Sequence, residues 1–333
     1  MKVLITGGAG FLGTRLARAL LTRGHLSGKA IRELTLTDLV PPPADLRGDT
    51  RVHTRAGDLL PQCEALGTSG FETVFHLSAA TSAECEADFQ LGIRSNLETT
   101  QALLESIRHS GSRPRFIFAS SVAVFGSEPD LTLPAVIRDD TLPVPQSSYG
   151  IQKFICEQLV SDYTRKNFID GRTARLMTVA VRPGRPNGAA SSFLSSIIRE
   201  PLHGEPAICP VTEETTVALA SPGRTIDGLI AVAEASRDLL GGRTAVNLPS
   251  LTVRVGDMLH TLEAVGGRDS RLLVRFEQDP RIEGIVGSWP SAFDSERARR
   301  LGLKPDPDFH SIVQQFVHED AAIAVHLAER ATR

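Results

Sequence analysis

The chain begins with a short apolar run that leads directly into a glycine-rich segment. Residues Lys2 to Ile5 have the composition of a buried strand, and glycines follow at positions 7, 8, 10 and 13. Gly7 allows a sharp turn, Gly10 lets the backbone approach a ligand, and Gly13 lets a following helix pack against the strand. The exposed N–H groups at the start of such a helix attract negative charge. The segment therefore predicts a strand, loop and helix that bind a diphosphate.

A second alternating segment, residues 33–38, ends in an acidic residue. At this distance from the glycine loop, a dinucleotide-binding fold places a carboxylate on the hydroxyl groups of the adenosine ribose. Asp38 would repel a phosphate on that ribose, so the pattern favours NAD over NADP. The same residue can also be a helix cap or a loop acid, because three prolines follow it at 41–43.

A tyrosine and a lysine four residues apart lie near the middle of the chain. On a helix, Tyr149 and Lys153 share one face and are separated by about 6 Å along the axis. An ammonium beside a phenol favours the phenolate, and a useful base near neutral pH needs the tyrosine pKa to fall by roughly 2 to 3 units. Ser121 ends an apolar run, where its hydroxyl can orient a substrate oxygen. Tyr-x-x-x-Lys also occurs by chance on many helices, but with the glycine loop and the serine it predicts hydride transfer between an alcohol carbon and a nicotinamide cofactor.

Strand-like and helix-like segments alternate through the first half of the chain. This alternation predicts an α/β fold with a doubly wound Rossmann parallel sheet. The expected strands are 51–55, 73–77, 115–119 and 175–181, and the expected long helices are 82–109 and 148–167.

The regular pattern stops after residue 182, which predicts a division into two parts. We expect an NAD-binding Rossmann domain from residues 1–182 and 216–248, in which a strand and a helix of the later segment return to the main sheet. The smaller C-terminal substrate-binding lobe is then expected from residues 183–215 and 249–333. Ligands bind beyond the carboxyl ends of the strands in such sheets, where the irregular segments converge.

Composition excludes several other classes of protein. The chain has 23% charged residues and a formal net charge of −3, and its arginines are dispersed, so nucleic-acid binding is not expected. The N-terminal residues enter a strand and a glycine loop at once, so we expect neither secretion nor a membrane partner, and the expected location is the cytoplasm. Four separated cysteines and the absence of His-x-His spacing predict no metal site.

These motifs resemble the extended short-chain dehydrogenase/reductases, also called the NAD-dependent epimerase/dehydratase family, over nearly the whole chain. The resemblance implies that Asp58 and Leu59 lie against the adenine and that Lys153 also contacts the nicotinamide ribose. It further implies a cofactor site formed by Gly7, Gly10, Phe11, Leu12, Gly13, Asp38, Asp58, Leu59, Leu77, Ser78, Ala79, Asn96, Tyr149 and Lys153, with Ser121, Tyr149 and Lys153 as the catalytic residues.

Within the family, residues 181–193 resemble members that oxidise a four-carbon sugar acid at the hydroxyl next to the carboxylate. The resemblance implies a 2-oxo acid as the product. A small carboxylate needs charge-assisted donors, for which Arg182, Arg185 and Arg224 are candidates, although each can also form a surface or interdomain ion pair. Ser221 and Asn187 are candidates for contacts with substrate hydroxyls, and Asn187 can also be a turn residue.

Two alternative functions stay open at this point. A nucleotide-sugar epimerase or dehydratase would use the same Tyr149 and Lys153 and keep NAD tightly bound, although the residues after Ser121 lack the acidic pair of a dehydratase. A sensor that binds NAD without catalysis is the alternative from another class. The helices at 82–109 and 148–167 carry more apolar surface than one sheet face needs, so we expect a homodimer with a four-helix interface, as in related enzymes.

Overall fold

The structure is a computed structural model that describes residues 1–128, 130–184, 189–320 and 322–323. Within these residues, strands and helices alternate along the chain. The strands are β1 (Lys2–Thr6), β2 (His25–Leu26), β3 (Lys29–Ala30), β4 (Glu33–Asp38), β5 (Val52–Ala56), β6 (Thr73–His76), β7 (Arg115–Ser121), β8 (Ile137–Arg138), β9 (Asp170–Leu176), β10 (Thr178–Val179), β11 (Ala207–Cys209), β12 (Thr216–Ala220), β13 (Val246–Asn247), β14 (Leu251–Arg254), β15 (Val274–Phe276) and β16 (Phe293–Asp294).

Short 3-10 turns at Leu60–Gln62, Val122–Val124 and Ala190–Ser192 and a π-helical turn at Ile93–Glu98 supplement the helices. Within the described residues, no helix has both the length and the hydropathy needed to cross a bilayer. The helices are α1 (Phe11–Arg23), α2 (Ala44–Arg47), α3 (Cys63–Gly67), α4 (Ser82–Ala87), α5 (Phe89–Gly92), α6 (Thr99–Ser110), α7 (Ser148–Arg165), α8 (Phe193–Leu202), α9 (Pro222–Glu234), α10 (Arg237–Leu240), α11 (Val255–Gly266), α12 (Arg268–Leu272), α13 (Pro280–Gly287), α14 (Glu296–Arg300) and α15 (Phe309–Glu319).

Seven parallel strands form the central sheet in the order β13-β9-β7-β6-β1-β4-β5. The chain starts at β1, runs outward through β4 to β5, then returns to β6 and continues in the opposite direction. The predicted doubly wound Rossmann sheet is therefore confirmed. The order reverses between β1 and β6, and the crevice for a ligand in such a sheet opens at the carboxyl ends of the strands at this point.

Both faces of the sheet are buried, which explains why the first strand is a continuous apolar run. Side chains alternate between the two faces of a strand. Val3 and Ile5 therefore pack in one core with residues of α1 and α9, and Leu4 packs in another core with residues of α3, α6 and α7. The two cores hold the glycine loop at the end of β1 in a fixed position.

The C-terminal part of the chain has a core of its own, formed largely by α8, α11 and α15 around a three-stranded sheet of β10, β12 and β14. The structure differs here from the expectation that the strand near residue 216 returns to the main sheet. β12 pairs in parallel with β10 and in antiparallel orientation with β14. It does not join the main sheet, because β13 already occupies the edge position beside β9. The helix α9 and β13 do return to the main sheet, and Ala298 of α14 packs there as well.

The helix expected over residues 82–109 is interrupted. Asp88 adopts an extended backbone with φ of −138° and ψ of 96°, and its carboxylate accepts a hydrogen bond from the backbone N of Leu91 at 3.0 Å. This cap starts α5, and the π-helical turn then leads into α6. The helix expected over 148–167 is continuous as α7, and Ser147 caps it by accepting a hydrogen bond from the backbone N of Gly150 at 3.1 Å.

Candidate active site

A cavity of about 620 Å³ lies along the carboxyl ends of the central strands. It extends from the glycine loop to residues of the C-terminal lobe, so the sheet and the lobe both contribute to its wall. Most of the residues proposed from the sequence line it, namely Gly7, Gly10, Phe11, Leu12, Gly13, Asp38, Asp58, Leu59, Leu77, Ser78, Ala79, Ser121, Tyr149, Lys153 and Arg182.

The glycine loop packs so closely that side chains cannot replace its hydrogens. Gly7 has a φ of +68°, and a Cβ atom there would lie 2.9 Å from the backbone N of Ser78. A Cβ atom on Gly13 would lie 2.0 Å from the backbone O of Gly7. The loop therefore presents bare backbone to the cavity at the start of α1, which fits the diphosphate of a dinucleotide.

Asp38 lies at the end of β4 and supports the same loop. Its Oδ2 accepts hydrogen bonds from the backbone N of Ala9 and of Gly10, each at 3.0 Å, and its Oδ1 accepts one from the backbone N of Leu39 at 2.7 Å. The residue lines the cavity and does not cap a helix, since Pro43 precedes α2. Its position fits the ribose contact expected from the sequence.

The residues expected near the adenine follow β5, the strand next to β4, and so lie at the same end of the cavity as Asp38. Leu59 is buried, and Asp58 accepts a hydrogen bond from Arg94 at 2.7 Å. This contact and the hydrogen bond that Asp58 accepts from the backbone N of Leu60 hold the pKa of the Asp58 carboxyl below its usual value. The carboxylate is therefore ionised and able to accept a hydrogen bond from an amino group.

Asn96 differs from the other expected cofactor residues because it is buried behind the cavity wall and does not line it. Its Oδ1 accepts a hydrogen bond from the backbone N of Ala80 at 2.8 Å, and its Nδ2 donates to Gln152 Oε1 at 2.8 Å. The structure thus places Asn96 as a support for the segment that contains Leu77, Ser78 and Ala79. A direct cofactor contact does not follow from this geometry.

Lys153 is buried on the face of α7 that contacts β7. Its Nζ donates a hydrogen bond to the backbone O of Ala119 at 2.9 Å and lies 4.9 Å from the centre of the Phe118 ring. The same atom lies 5.6 Å from the centre of the Tyr149 ring. Burial lowers the pKa of Lys153 to about 8, against the smaller effects of nearby Cys156, Cys85 and Glu157, which raise it.

The electrostatics of Tyr149 differ from the sequence prediction. Burial raises the pKa of the phenol to about 12 in the chain alone, although a hydrogen bond with Ser121 lowers it. The cation that lowers this pKa is Arg182. The residues of the chain alone therefore do not produce the expected fall in the tyrosine pKa.

Of the residues proposed to bind substrate through charge or hydroxyl contacts, Arg182 reaches the cavity. Its Nε donates to the backbone O of Val179 at 3.0 Å and its Nη2 donates to Ser191 Oγ at 3.3 Å. Burial lowers the pKa of this guanidinium. The group remains a cation at neutral pH, because an arginine stays protonated in proteins.

The structure does not bring Ser221 and Arg224 to the cavity. Ser221 is buried at the N-terminus of α9, where its Oγ accepts a hydrogen bond from the backbone N of Arg224 at 3.1 Å. Its own backbone N donates to Asp306 at 2.7 Å. Arg224 is exposed to solvent, and Arg185 and Asn187 lie outside the described residues. The sequence pattern of Ser221 before Pro222 therefore marks a helix cap.

Sequence reasoning missed several residues of the cavity wall. Thr37 precedes Asp38, and its buried hydroxyl has no hydrogen-bond partner among the described residues. Ser191 and Trp289 line the cavity from the C-terminal lobe. The sequence signal for Trp289 was that it is the only tryptophan of the chain, but no periodic pattern relates the C-terminal lobe to the cavity.

Within the described residues, no group of three His, Cys, Asp or Glu side chains is arranged to hold a metal ion.

A buried histidine joins the end of β1, next to the glycine loop, to α6. His76 Nδ1 lies 2.7 Å from Thr6 Oγ1, and its Nε2 lies 2.9 Å from Thr100 Oγ1. Thr100 donates its proton to the backbone O of Asn96 at 2.6 Å, so it must accept from Nε2. Nδ1 then accepts from the Thr6 hydroxyl, whose oxygen accepts from the backbone N of Leu77 at 3.2 Å. The network thus assigns a neutral imidazole with its proton on Nε2.

The fold and the cavity together define a dinucleotide-dependent oxidoreductase of the short-chain type. The chain belongs to the NAD dependent epimerase/dehydratase family, whose model matches residues 3–224. This membership confirms the predicted family and the predicted cofactor, NAD.

Three known proteins illustrate this membership. D-erythronate dehydrogenase from Cupriavidus necator is 48% identical over 330 residues, which cover 97% of this chain and 100% of that protein. D-erythronate dehydrogenase from Haemophilus influenzae is 44% identical over 322 residues, which cover 96% of this chain and 100% of that protein. The solved structure of the nucleoside-diphosphate-sugar epimerase from Agrobacterium tumefaciens has a TM-score of 0.89 and 39% identity, with 96% of this chain and 94% of that chain covered. The two dehydrogenases confirm the prediction of an NAD-dependent dehydrogenase.

The neutral, buried His76 predicts a particular dependence of stability on pH. Burial, and to a smaller extent the charge of Lys153, lowers the pKa of this imidazole from 6.5 to about 3. Between these values the unfolded chain binds more protons, so the free energy of unfolding decreases as the pH falls below 6.5. We expect the parent to lose up to roughly 1.4 kcal/mol per pH unit more than His76→Asn between pH 6.5 and 5, measured by urea unfolding.

The control for this prediction is His260→Asn, which replaces a histidine whose side chain is 73% exposed. This variant is expected to follow the parent at every pH. His76→Gln serves as a second variant if His76→Asn does not fold. Equal pH slopes for the parent and both His76 variants would contradict a buried neutral imidazole.

Proposed function

We propose that this protein oxidises the C2 hydroxyl of D-erythronate, or of a closely similar four-carbon sugar acid, to the 2-oxo acid with NAD. The observation that carries the proposal is that Ser121, Tyr149 and Arg182 line one cavity. Two hydroxyl groups and a guanidinium suit a substrate that has both a secondary alcohol and a carboxylate. The names of the two relatives at 48% and 44% identity support this substrate.

The cavity offers a place for each part of the cofactor. The glycine loop would hold the diphosphate, Asp38 the adenosine ribose, Leu59 the adenine and Lys153 the nicotinamide ribose. When bound, NAD supplies the acceptor for the hydride. The bare backbone of the loop and the ionised Asp58 at the adenine end fit this arrangement.

Tyr149 would accept the proton of the substrate hydroxyl at its phenolic oxygen. The O–H bond of the hydroxyl group and the C–H bond of the carbon that bears it break, and a C=O bond forms between that carbon and that oxygen. Because burial raises the pKa of the phenol to about 12, ionisation depends on the Ser121 hydrogen bond and on positive charge in the cavity. Lys153, with a pKa of about 8, can hold a proton or release it at Nζ near neutral pH.

Arg182 would bind the carboxylate of the substrate. It lines the cavity from the side of the C-terminal lobe, beside Ser191. Its charge acts on the phenol of Tyr149, and both groups line the same cavity. A bidentate guanidinium contact fixes the orientation of a carboxylate, and with it which hydroxyl faces Tyr149.

Arg182→Met is expected to raise the KM for the sugar acid by a factor of about 10 to 100, because a charge-assisted contact of roughly 1.5 to 3 kcal/mol is lost. Steady-state kinetics of NADH formation measure the change. Oxidation of erythritol, which lacks the carboxylate, is expected to change little.

The matched control is Arg224→Met, since this exposed arginine does not line the cavity and its loss is expected to leave KM unchanged. A larger effect of Arg224→Met than of Arg182→Met would assign the carboxylate to the other arginine. An unchanged KM in both variants would remove this part of the proposal.

A nucleotide-sugar epimerase is the second candidate function. The observation that favours it is the TM-score of 0.89 and 39% identity to a structure described as a nucleoside-diphosphate-sugar epimerase. An epimerase returns the hydride within one catalytic cycle, so it accumulates no NADH. A dehydratase is less favoured, because Val122, Ala123 and Val124 follow Ser121 without an acidic residue.

Absorbance at 340 nm distinguishes these functions. We expect one NADH for each D-erythronate oxidised, and little reaction with NADP. Tyr149→Phe is expected to lower kcat about 1,000-fold, because the base is lost, and to keep the dissociation constant for NAD within a few-fold of the parent. Isothermal titration of NAD checks the second point.

Two other outcomes would redirect the proposal. Interconversion of nucleotide sugars without net NADH would support the epimerase. NAD binding by the parent without turnover of any sugar acid or nucleotide sugar would support the non-catalytic sensor.

Three expectations from the sequence remain predictions. They are the cytoplasmic location, the absence of nucleic-acid and membrane partners, and the division of the chain at residues 182, 215 and 248.

The protein is also proposed to form a homodimer through α4 to α7. Apolar side chains on these helices are exposed in the single chain, namely Phe89, Ile151 and Ile155. Paired across a two-fold axis, two such faces form a four-helix interface that removes these side chains from water.

Sedimentation velocity is expected to give twice the chain mass of 35.9 kDa. Ile155→Glu is expected to give a monomer, because a charge would be buried in the interface. Leu272→Glu replaces an exposed leucine of the C-terminal lobe and should leave the dimer intact. A monomeric mass for the parent at working concentration would overturn the interface.

A further inference from the structure

An ion pair is buried behind the proposed catalytic residues. Glu157 of α7 accepts hydrogen bonds from Arg175 Nε at 2.9 Å and Nη2 at 2.7 Å, and the two side chains are 3% and 6% exposed. Removing two charges from water is costly, and an apolar pair of similar volume is often equally stable. The pair therefore calls for an explanation beyond stability.

The ion pair is connected to the end of β7. Ser120 lines the cavity, but its hydroxyl donates a hydrogen bond to Glu157. Arg175 in turn donates to Asn247 Oδ1 at 3.3 Å and lies 4.8 Å from the centre of the Phe125 ring. Glu157 thus joins α7 to β7, and through Arg175 to β9 and β13.

Lys153 and Glu157 lie one helical turn apart and hold consecutive residues of β7. Lys153 donates to the backbone O of Ala119 at 2.9 Å, and Glu157 accepts from the side chain of Ser120. The next residue of the strand is Ser121, which lines the cavity together with Tyr149 of α7. The proposed catalytic residues come from two elements, and these two contacts set the position of one element relative to the other.

We propose that Glu157 is a positioning residue for the reaction: through Ser120 it fixes the distance between the Ser121 hydroxyl and the Tyr149 phenol. The effect is geometric, because Arg175 balances the charge of Glu157. The proposal rests on the proposed function insofar as it concerns turnover, but the environment of the Tyr149 phenol can be measured without substrate.

Ser120→Ala removes the connection and leaves the ion pair, Lys153 and Ser121 in place. We expect kcat for the sugar acid to fall about 10-fold, while KM and the dissociation constant for NAD stay within twofold. The matched control is Thr173→Val on β9, where a buried hydroxyl has no partner among the described residues. This control is expected to keep the parent kcat. Both variants should melt within about 4 °C of the parent.

Two charge-balanced double variants separate the hydrogen bond from the ion pair. Glu157→Gln with Arg175→Gln keeps an acceptor for Ser120 and is expected to keep kcat within threefold of the parent. Glu157→Leu with Arg175→Met removes the acceptor and is expected to match Ser120→Ala. Adding Ser120→Ala to the second pair should cause no further loss of kcat, because the connection is already absent.

A substrate-free measurement uses the fact that the chain has two tyrosines. In protein labelled with ¹³Cζ-tyrosine, Tyr163→Phe assigns the remaining resonance to Tyr149. This resonance is expected to shift in Ser120→Ala and to stay in place in Thr173→Val. If the parent oxidises no sugar acid, the proposed function fails, and the resonance still decides the positioning role. An unchanged resonance in Ser120→Ala, or an equal shift in Thr173→Val, would overturn the proposal.

Discussion

The close approach of α7 to the end of β7 is the contact on which the site depends. A Cβ atom on Gly150 would lie 2.1 Å from the backbone O of Ala123, so only glycine allows this approach. It brings the residue before Gly150, Tyr149, to the cavity, and one turn later Lys153 reaches the backbone of the strand at Ala119. A cation buried this deeply needs a fixed hydrogen-bond acceptor, which the strand carbonyl supplies.

The cofactor end of the cavity is held by a second set of backbone contacts. Gly7 and Gly13 bring β1, α1 and the segment after β6 together without intervening side chains. The hydrogen-bond chain from Thr6 through His76 to Thr100 then connects this region to α6. The two ends of the cavity share the central sheet, so the rigid part of the fold sets the length over which a dinucleotide can extend.

Local sequence predicted the features that short spacings determine. The glycine loop, Asp38, Ser121 and the pair Tyr149 and Lys153 line one cavity as expected, because each position follows from a strand end or a helical turn. Features that depend on distant pairing were not found: β12 pairs with β14 and not with the main sheet, and Ser221 caps α9. The direction of the Tyr149 pKa shift also depends on how deeply the phenol is buried, which no spacing in the sequence reveals.

The contacts of Asp38 link cofactor choice to the shape of the loop. The same carboxylate that is proposed to contact the ribose also accepts hydrogen bonds from the backbone N–H groups of Ala9 and Gly10. Replacing Asp38 by a neutral or basic residue would accommodate a ribose phosphate. The same replacement also removes the hydrogen-bond acceptor of the Ala9 and Gly10 backbone amides. A change of coenzyme preference by evolution or by engineering therefore requires a compensating acceptor elsewhere, so the two traits must be altered together.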